Sequence, residues 1–364
     1  MEILQDILAA IGVVLNGIPQ GLLALAYGFA SVPTALGFAI GAIACGALSS
    51  VAPISFQAET VVMAGTMGKN RRDRLSMVLF GGLIMALLGL TGTLSAITNF
   101  AGDAIVHAMM AGVGFVLVKT AFGMVKENQL VGWISVASAV IIYLIAKFLD
   151  PGNALVYTIV GSLIISSIAA KLAGQKLGEN AITEKMCRLK LEKPTINPTV
   201  IRGALSLACL TIGANIAFGN ITSGMGGSSL NVDHLTVYSG LADAVSSLFG
   251  GGPVEAIISA TGAAPHAVLS GVIMMGIMAL ILFFGLLPKI GKFVPSQSIA
   301  GFLFILGAFV TIPGDGAAAF ATAEAGGSIL AAVTMSVTAV FDPFFGMLAG
   351  IVLKLIIGVT GLAL

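Results

Sequence analysis

The chain has 364 residues, 57% of them hydrophobic and 9% charged, with 47 glycines. Soluble domains carry roughly 25% charged residues, so this composition excludes an ordinary water-soluble globule and points to a polytopic membrane protein. A net charge of +1 leaves no dense basic face to neutralise phosphates, which argues against a nucleic-acid-binding surface.

The N-terminus lacks a basic n-region and a small-residue cleavage site. Glu2 and Asp6 stand where a signal peptide would carry lysines, so no removable signal is expected. The apolar runs are too long for strands and show no two-residue alternation, so helices rather than a β-barrel are expected to satisfy the backbone in lipid. With about 20 residues needed per span, the first segment covers about Leu8 to Ala30, broken at Asn16-Gly-Ile-Pro19. The second covers Pro33 to Ser50, and a short third lies between Pro53 and Gly68. The fourth to seventh follow at about Leu75–Ile97, Asp103–Met124, Leu130–Leu149 and Ala154–Leu172.

A polar stretch from Lys171 to Pro198 then interrupts the pattern. Beyond it come segments at Val200–Thr222 and Val237–Phe249, a short tenth at Pro253–Ala264, and four more: Ala267–Leu287, Ile299–Ile312, Ile329–Phe341 and Phe344–Leu362. Seven segments precede the polar stretch and seven follow it, and the short Pro-led segment is third in each half. An odd number of spans per half inverts one half against the other, the inverted repeat of many secondary transporters. The expected organisation is a first repeat over 1–172, a connecting loop over 173–198 and a second repeat over 199–364. The fold class is an all-α polytopic membrane protein of about 14 segments, the third and tenth discontinuous.

Those two short segments, VAPISFQAETVVMAG from Val51 and GGGPVEAIISATGAA from Gly250, each carry one carboxylate, Glu59 or Glu255. An ionisable group in such apolar surroundings is a functional candidate, and interrupted segments at matching places in two halves point to a transporter's binding site. If both begin as helices near the midplane, their first N–H groups lack intrahelical acceptors and face each other. Gln57, Glu59 and Glu255 then serve as substrate or coupling-ion contacts; the competing role for each acid is to favour a helix start. Phe56 is a candidate for stacking on a planar solute, with ordinary packing as its alternative. Asn215 and Asn220, five apart, do not share a helical stripe, so one faces a cavity or both serve interhelical hydrogen bonds.

Lys119 is expected to snorkel to the interface in preference to pairing with Asp103. His107, His234 and His266 are scattered with no metal spacing, a protonation role for one of them being the alternative, and Cys45, Cys187 and Cys209 read as buried or loop thiols. No glycine-rich run is followed by Lys-Ser or Lys-Thr, so ATP coupling in this chain is not supported. No nucleophilic triad or HExxH is present either, and an enzyme is not expected.

TALGFAIGAIACGALSSVAPISFQAETV from Thr34, GLIMALLGLTGTLSAI from Gly82, AGVGF from Ala111 and LADAVSSLFGGGPVEAIISATG from Leu241 resemble the nucleobase transporters of the xanthine/uracil permease family. SILAAVTMSVTAVFDPFFGMLAGIVLKLIIG from Ser328, with Asp342, resembles the adenine/guanine/hypoxanthine branch of that family. The resemblance implies a seven-plus-seven fold with core and gate domains and a nucleobase-like solute driven by H⁺ or Na⁺, with no other cofactor. It implies substrate contacts at Phe56, Gln57, Glu59, Asn215, Pro253, Val254, Glu255 and Ser259, with Glu59, Glu255, Asp243 and Asn220 for coupling or gating. A homodimer in the cell membrane is the assembly it suggests. Helix eight departs from the family: IGANIAFGNITSG from Ile212 has no acid, and Glu255 lies earlier than the family's glutamate.

The alternative keeps the fold and changes the cargo. GIPQGLLALAYGFASVPTALG from Gly17 resembles the first helix of the sulfate permease family, which implies a small anion. A third reading is a non-transporting membrane subunit. Basic residues crowd the loops after odd-numbered segments, with Lys147 alone after an even one. The positive-inside rule then places both termini outside, opposite to what the resemblance implies, unless a span near residues 1–50 is miscounted.

Overall fold

The computed structural model describes residues 2–152, 154–174, 189–322 and 326–360. The chain is a multi-pass helical membrane protein: eight of its described helices are long and apolar enough to span a bilayer, and three shorter apolar helices accompany them. The first half comprises α1 (Glu2–Ala26), α2 (Ser31–Ala47), a two-residue strand β1 (Ile54–Ser55) leading into α3 (Ala58–Met67), and α4 (Arg71–Thr91). A short α5 (Leu94–Ala101), then α6 (Asp103–Glu127), α7 (Gln129–Leu149) and α8 (Ala154–Leu172) complete it. The second half runs through α9 (Pro198–Met225), α10 (Val232–Leu248), strand β2 (Glu255–Ala256) and a 3₁₀ turn at Ala260–Ala263. It continues through α11 (Ala267–Phe283), a short α12 (Leu286–Gly291), α13 (Ala300–Ile305), α14 (Ile312–Phe320), α15 (Gly327–Val340) and α16 (Pro343–Thr360).

The packing repeats with the halves exchanged. α4 lies against α9 and α10 as α11 lies against α1 and α2. α7 packs on α8 as α15 packs on α16, and α6 meets α15 as α7 meets α13. These pairings are those of a seven-plus-seven inverted repeat, with α5 and α12 as its matching short connectors. They also sort the helices into a core (α1–α4, α9–α11) and a gate (α6–α8, α13–α16). Residues 175–188 of the polar connection, with Cys187, lie outside the described residues.

The halves meet where β1 and β2 pair antiparallel, Ile54 opposite Ala256 and Ser55 opposite Glu255. All four residues are buried, and non-helical backbone at this depth must find every hydrogen bond inside the protein. Side chains supply several. Gly252 N–H donates to Thr34 Oγ1 at 2.8 Å, Ser246 Oγ donates to the Gly252 carbonyl at 2.7 Å, and Val254 N–H donates to Asp243 Oδ1 at 2.7 Å. On the other half the Tyr238 hydroxyl donates to the Ala52 carbonyl just ahead of β1.

Two expectations need correction. The tenth segment is not a helix: after β2 the chain stays extended to Ser259 and then makes only a 3₁₀ turn. Thr222 of α9 holds it there, its Oγ1 donating to the Ile257 carbonyl at 2.9 Å and accepting from Ser259 N–H at 3.0 Å. Gly262 is pressed onto the same helix, where an added Cβ would lie 2.2 Å from the Thr222 carbonyl oxygen. The first segment is not broken; α1 runs through Pro19, and the Gln20 side-chain amide reaches back to the Asn16 carbonyl at 3.4 Å. Lys119 does not pair with Asp103, the alternative that the sequence disfavoured. Both lie on α6, and sixteen intervening steps at about 1.5 Å separate them by roughly 24 Å.

Candidate functional site

α3 begins inside the molecule because Pro53 and the β pairing hold the preceding residues extended; the Gln57 backbone is extended, and the first intrahelical bond runs from Val61 N–H to the Gln57 carbonyl at 3.1 Å. The N–H groups of Ala58, Glu59 and Thr60 therefore have no acceptor earlier in the helix, and the Gln57 side chain does not cap them. This end carries the positive pole of the helix. Gln57 is 3% exposed. Its Oε1 accepts from Thr60 Oγ1 at 2.6 Å, and its Nε2 has no protein partner.

A cavity of about 700 Å³ opens onto this helix start between core and gate. The core contributes Asn16 and Gln20 of α1, Gln57 and Glu59 of α3, Asn220 of α9, and Ile257 and Ile258 after β2. The gate contributes Asp103, Val106 and His107 of α6, and Phe302, Thr311 and Asp315 from the α13–α14 region, with Thr98 and Asn99 of α5 at its rim. A second cavity, of about 780 Å³, lies on the opposite side, lined by Met63, Thr66 and Met67 at the other end of α3 and by Lys119 and Glu127. α3 thus lies between two cavities, one on each side of the membrane.

Of the residues expected at the site, Gln57, Glu59 and Asn220 line the cavity. Phe56 is placed elsewhere, buried edge-on against Phe38 with ring centroids 5.3 Å apart. Glu255 is 1% exposed and does not reach the cavity; its Oε1 accepts from Thr211 Oγ1 at 2.6 Å, and Asp243 lies beside it. Pro253 and Val254 are buried in the crossing, and Ser259 Oγ lies 2.6 Å from Thr261 Oγ1 at the start of the 3₁₀ turn. Asn215 donates through Nδ2 to Thr236 Oγ1 and Ser239 Oγ at 3.1 and 3.2 Å, tying α9 to α10.

The gate wall was missed in the sequence. His107 Nδ1 lies 2.9 Å from Asp315 Oδ1, and a π-helical segment at Leu306–Thr311 precedes α14. Asp315 was in view: it follows Ile312-Pro-Gly in an apolar span, an intramembrane acid by the same rule that selected Glu59. Ending the twelfth segment at Ile312 removed it from consideration. His234 sits in the exposed first turn of α10, and His266 Nδ1 lies 2.8 Å from Asp6 Oδ2 at the α1–α11 contact.

No protein-family model matches the sequence, and no curated protein matches it. Solved structures do. The transmembrane domain of a cyanobacterium bicarbonate transporter, BicA, superposes with a TM-score of 0.71 at 14% identity, covering 95% of this chain and 97% of that one. The murine Solute Carrier 26 family member A9 anion transporter, in its inward-facing state, gives 0.72 at 12% identity over 99% of this chain and 69% of its own. A further SLC26A9 structure gives 0.69 at 13%, over 99% and 66%.

At such identities the likeness is one of fold, and it bears out the seven-plus-seven class. It overturns the resemblance to nucleobase transporters, because these neighbours are anion transporters. The motifs that suggested bases are small-residue helix faces and Pro-led crossings. Close helix packing and buried non-helical backbone require them whatever the cargo.

Proposed function

We propose that the protein is a secondary active transporter of a small anion, held at the N-terminus of α3 and carried by alternating access between core and gate. The observation that carries this reading is the uncapped start of α3 opening into the cavity beside a buried, unpartnered Gln57 amide. Backbone N–H groups of the first turn, a helix pole and a free amide donor make an anion cradle. The neighbours' anion transport supports the same cargo class, and the two cavities flanking α3 support alternating access.

The cradle also contains Glu59, and the lining of this cavity has Asp103 and Asp315 but neither lysine nor arginine. An anion entering beside these acids needs a co-transported H⁺ or Na⁺ to balance its charge. The test is flux of labelled bicarbonate, sulfate and chloride into proteoliposomes of the purified protein. Saturable flux of at least one, lowered in Gln57→Ala, is expected; silence for all three contradicts the reading.

The orientation we propose follows the basic residues. Lys69, Arg71, Arg72, Arg74, Lys126, Lys171, Lys289 and Lys292 lie where α3, α6 and α8 end and α4 and α12 lie, so that face is cytoplasmic. Both termini are then outside, and the cavity at the start of α3 opens outward. Two continuous helices, α1 and α2, cover residues 2–47, which supports the span count behind this assignment. Labelling of Cys187 in intact cells by an impermeant maleimide, with Cys45 and Cys209 replaced, would contradict it.

A further inference from the structure

We propose that His107 and Asp315 form the proton-carrying site of the transporter, a pair on the gate wall that takes up a proton from the cavity as the anion binds at α3 on the opposite wall. The inference rests on the transport reading for its purpose but on separate residues for its chemistry.

His107 projects from α6 and Asp315 from α14, helices that occupy equivalent places in the two inverted halves. They meet with Nδ1 and Oδ1 2.9 Å apart, and both line the cavity. The histidine side chain is 30% exposed and the aspartate 14%, so cavity water reaches the ring. When neutral with Nδ1–H directed at Asp315, the imidazole presents the lone pair of Nε2 for an incoming proton. The proton adds to Nε2 and the cation formed stays paired with the Asp315 carboxylate. No other co-reactant is needed.

The surroundings favour a cation here. Asp103, one turn earlier on α6, lies on the same wall, and Glu59 faces the pair from α3 across the cavity. α5 contributes only Thr98 and Asn99, and α15 no charged residue. Lys354 on α16 does not line the cavity, its Nζ donating to the Ala101 carbonyl at 3.1 Å. The lining therefore offers three carboxylates and one imidazole. A proton on His107 removes one negative charge from the cavity into which the anion must move.

Backbone geometry sets the pairing. The π-helical turn at Leu306–Thr311 lies just ahead of Asp315, and such turns are frequent at functional sites. α6 crosses it at close range, where a Cβ on Gly307 would lie 2.6 Å from the Gly114 carbonyl oxygen. Little room is left to slide, so the register between His107 and Asp315 is fixed.

The test uses the full chain in liposomes, read by pH-induced infrared difference spectroscopy and then by flux. In a background with His234 and His266 replaced, the expected spectrum shows pH-dependent imidazole bands that vanish in His107→Gln and change in Asp315→Asn. Persistence of those bands in His107→Gln, or no pH-dependent imidazole band at all, overturns the proposal whether or not any anion is transported. In the flux arm, an inward acid gradient accelerates anion uptake several-fold in the wild type and in His234→Gln, outside the cavity, and not in His107→Gln. Uptake that ignores the gradient, or follows sodium instead, also overturns it. Silence for every anion defeats the transport reading alone and leaves the spectroscopic arm to decide this one.

Discussion

The third element of each half is built from the same ingredients and ends up different. Ahead of α3, proline and a two-residue strand release the chain into a ten-residue helix whose start opens on the cavity. After β2, proline and the paired strand release it into an extended run pinned to Thr222 and then a single 3₁₀ turn. The first of these elements presents a helix pole and donors to the cavity. The second presents an apolar wall, with Ile257 and Ile258 as its described contribution to the cavity. Symmetry of topology therefore leaves the chemistry one-sided. The carboxylates follow suit: Glu59 faces the solute space, whereas Glu255 holds α9 through Thr211.

The largest expected effect comes from breaking the pinned side. Gly262→Ala drives a methyl group into the Thr222 backbone, and overpacking of this kind costs about 1–3 kcal/mol or more. Loss of folded protein on size-exclusion chromatography is the expected outcome. Glu255→Ala strips a buried partner from Thr211 and should destabilise by about 1–3 kcal/mol, read as a lowered unfolding temperature, with any remaining folded protein binding the anion unchanged.

Glu59→Gln sharpens the contrast from the other side. Its unfolding temperature should stay near that of the wild type while the anion binds more tightly, because one negative charge leaves the start of α3. Gln57→Ala should weaken anion affinity by about tenfold, or roughly 1.4 kcal/mol, with a small change in stability. Smallest of all is Asn220→Ala. Asn220 is exposed in the cavity, so stability should move by no more than about 0.5 kcal/mol, with a modest change in anion affinity. Equal effects of Glu59→Gln and Glu255→Gln on stability and flux would erase the distinction between the two regions.

Much of the architecture was legible in the sequence because hydrophobic length is a strong signal. Fourteen segments, the inverted halves and the paired Pro-led interruptions all follow from runs of apolar residues and their punctuation. The asymmetry between the interruptions was not legible, because it depends on Thr222, a residue of another helix, supplying hydrogen bonds that a helix would otherwise make for itself. Phe56 followed its packing alternative for a similar reason: Phe38 on α2 meets its ring edge-on.

The resemblance to base permeases misled because the shared motifs report how helices cross and not what passes between them. Gln57 and Glu59 were legible as candidates because both lie at the start of an interrupted segment. The meeting of His107 with Asp315 was not legible, because it joins positions 208 residues apart, a pairing that no local pattern encodes.

The most direct measurement is a structure of the protein with a heavy anion, iodide or perrhenate, diffused into it. The account predicts anion density against the N–H groups of Ala58–Thr60 and within hydrogen-bonding distance of Gln57 Nε2. Density at the 3₁₀ turn after β2, or none at the start of α3 at concentrations that saturate flux, would contradict it.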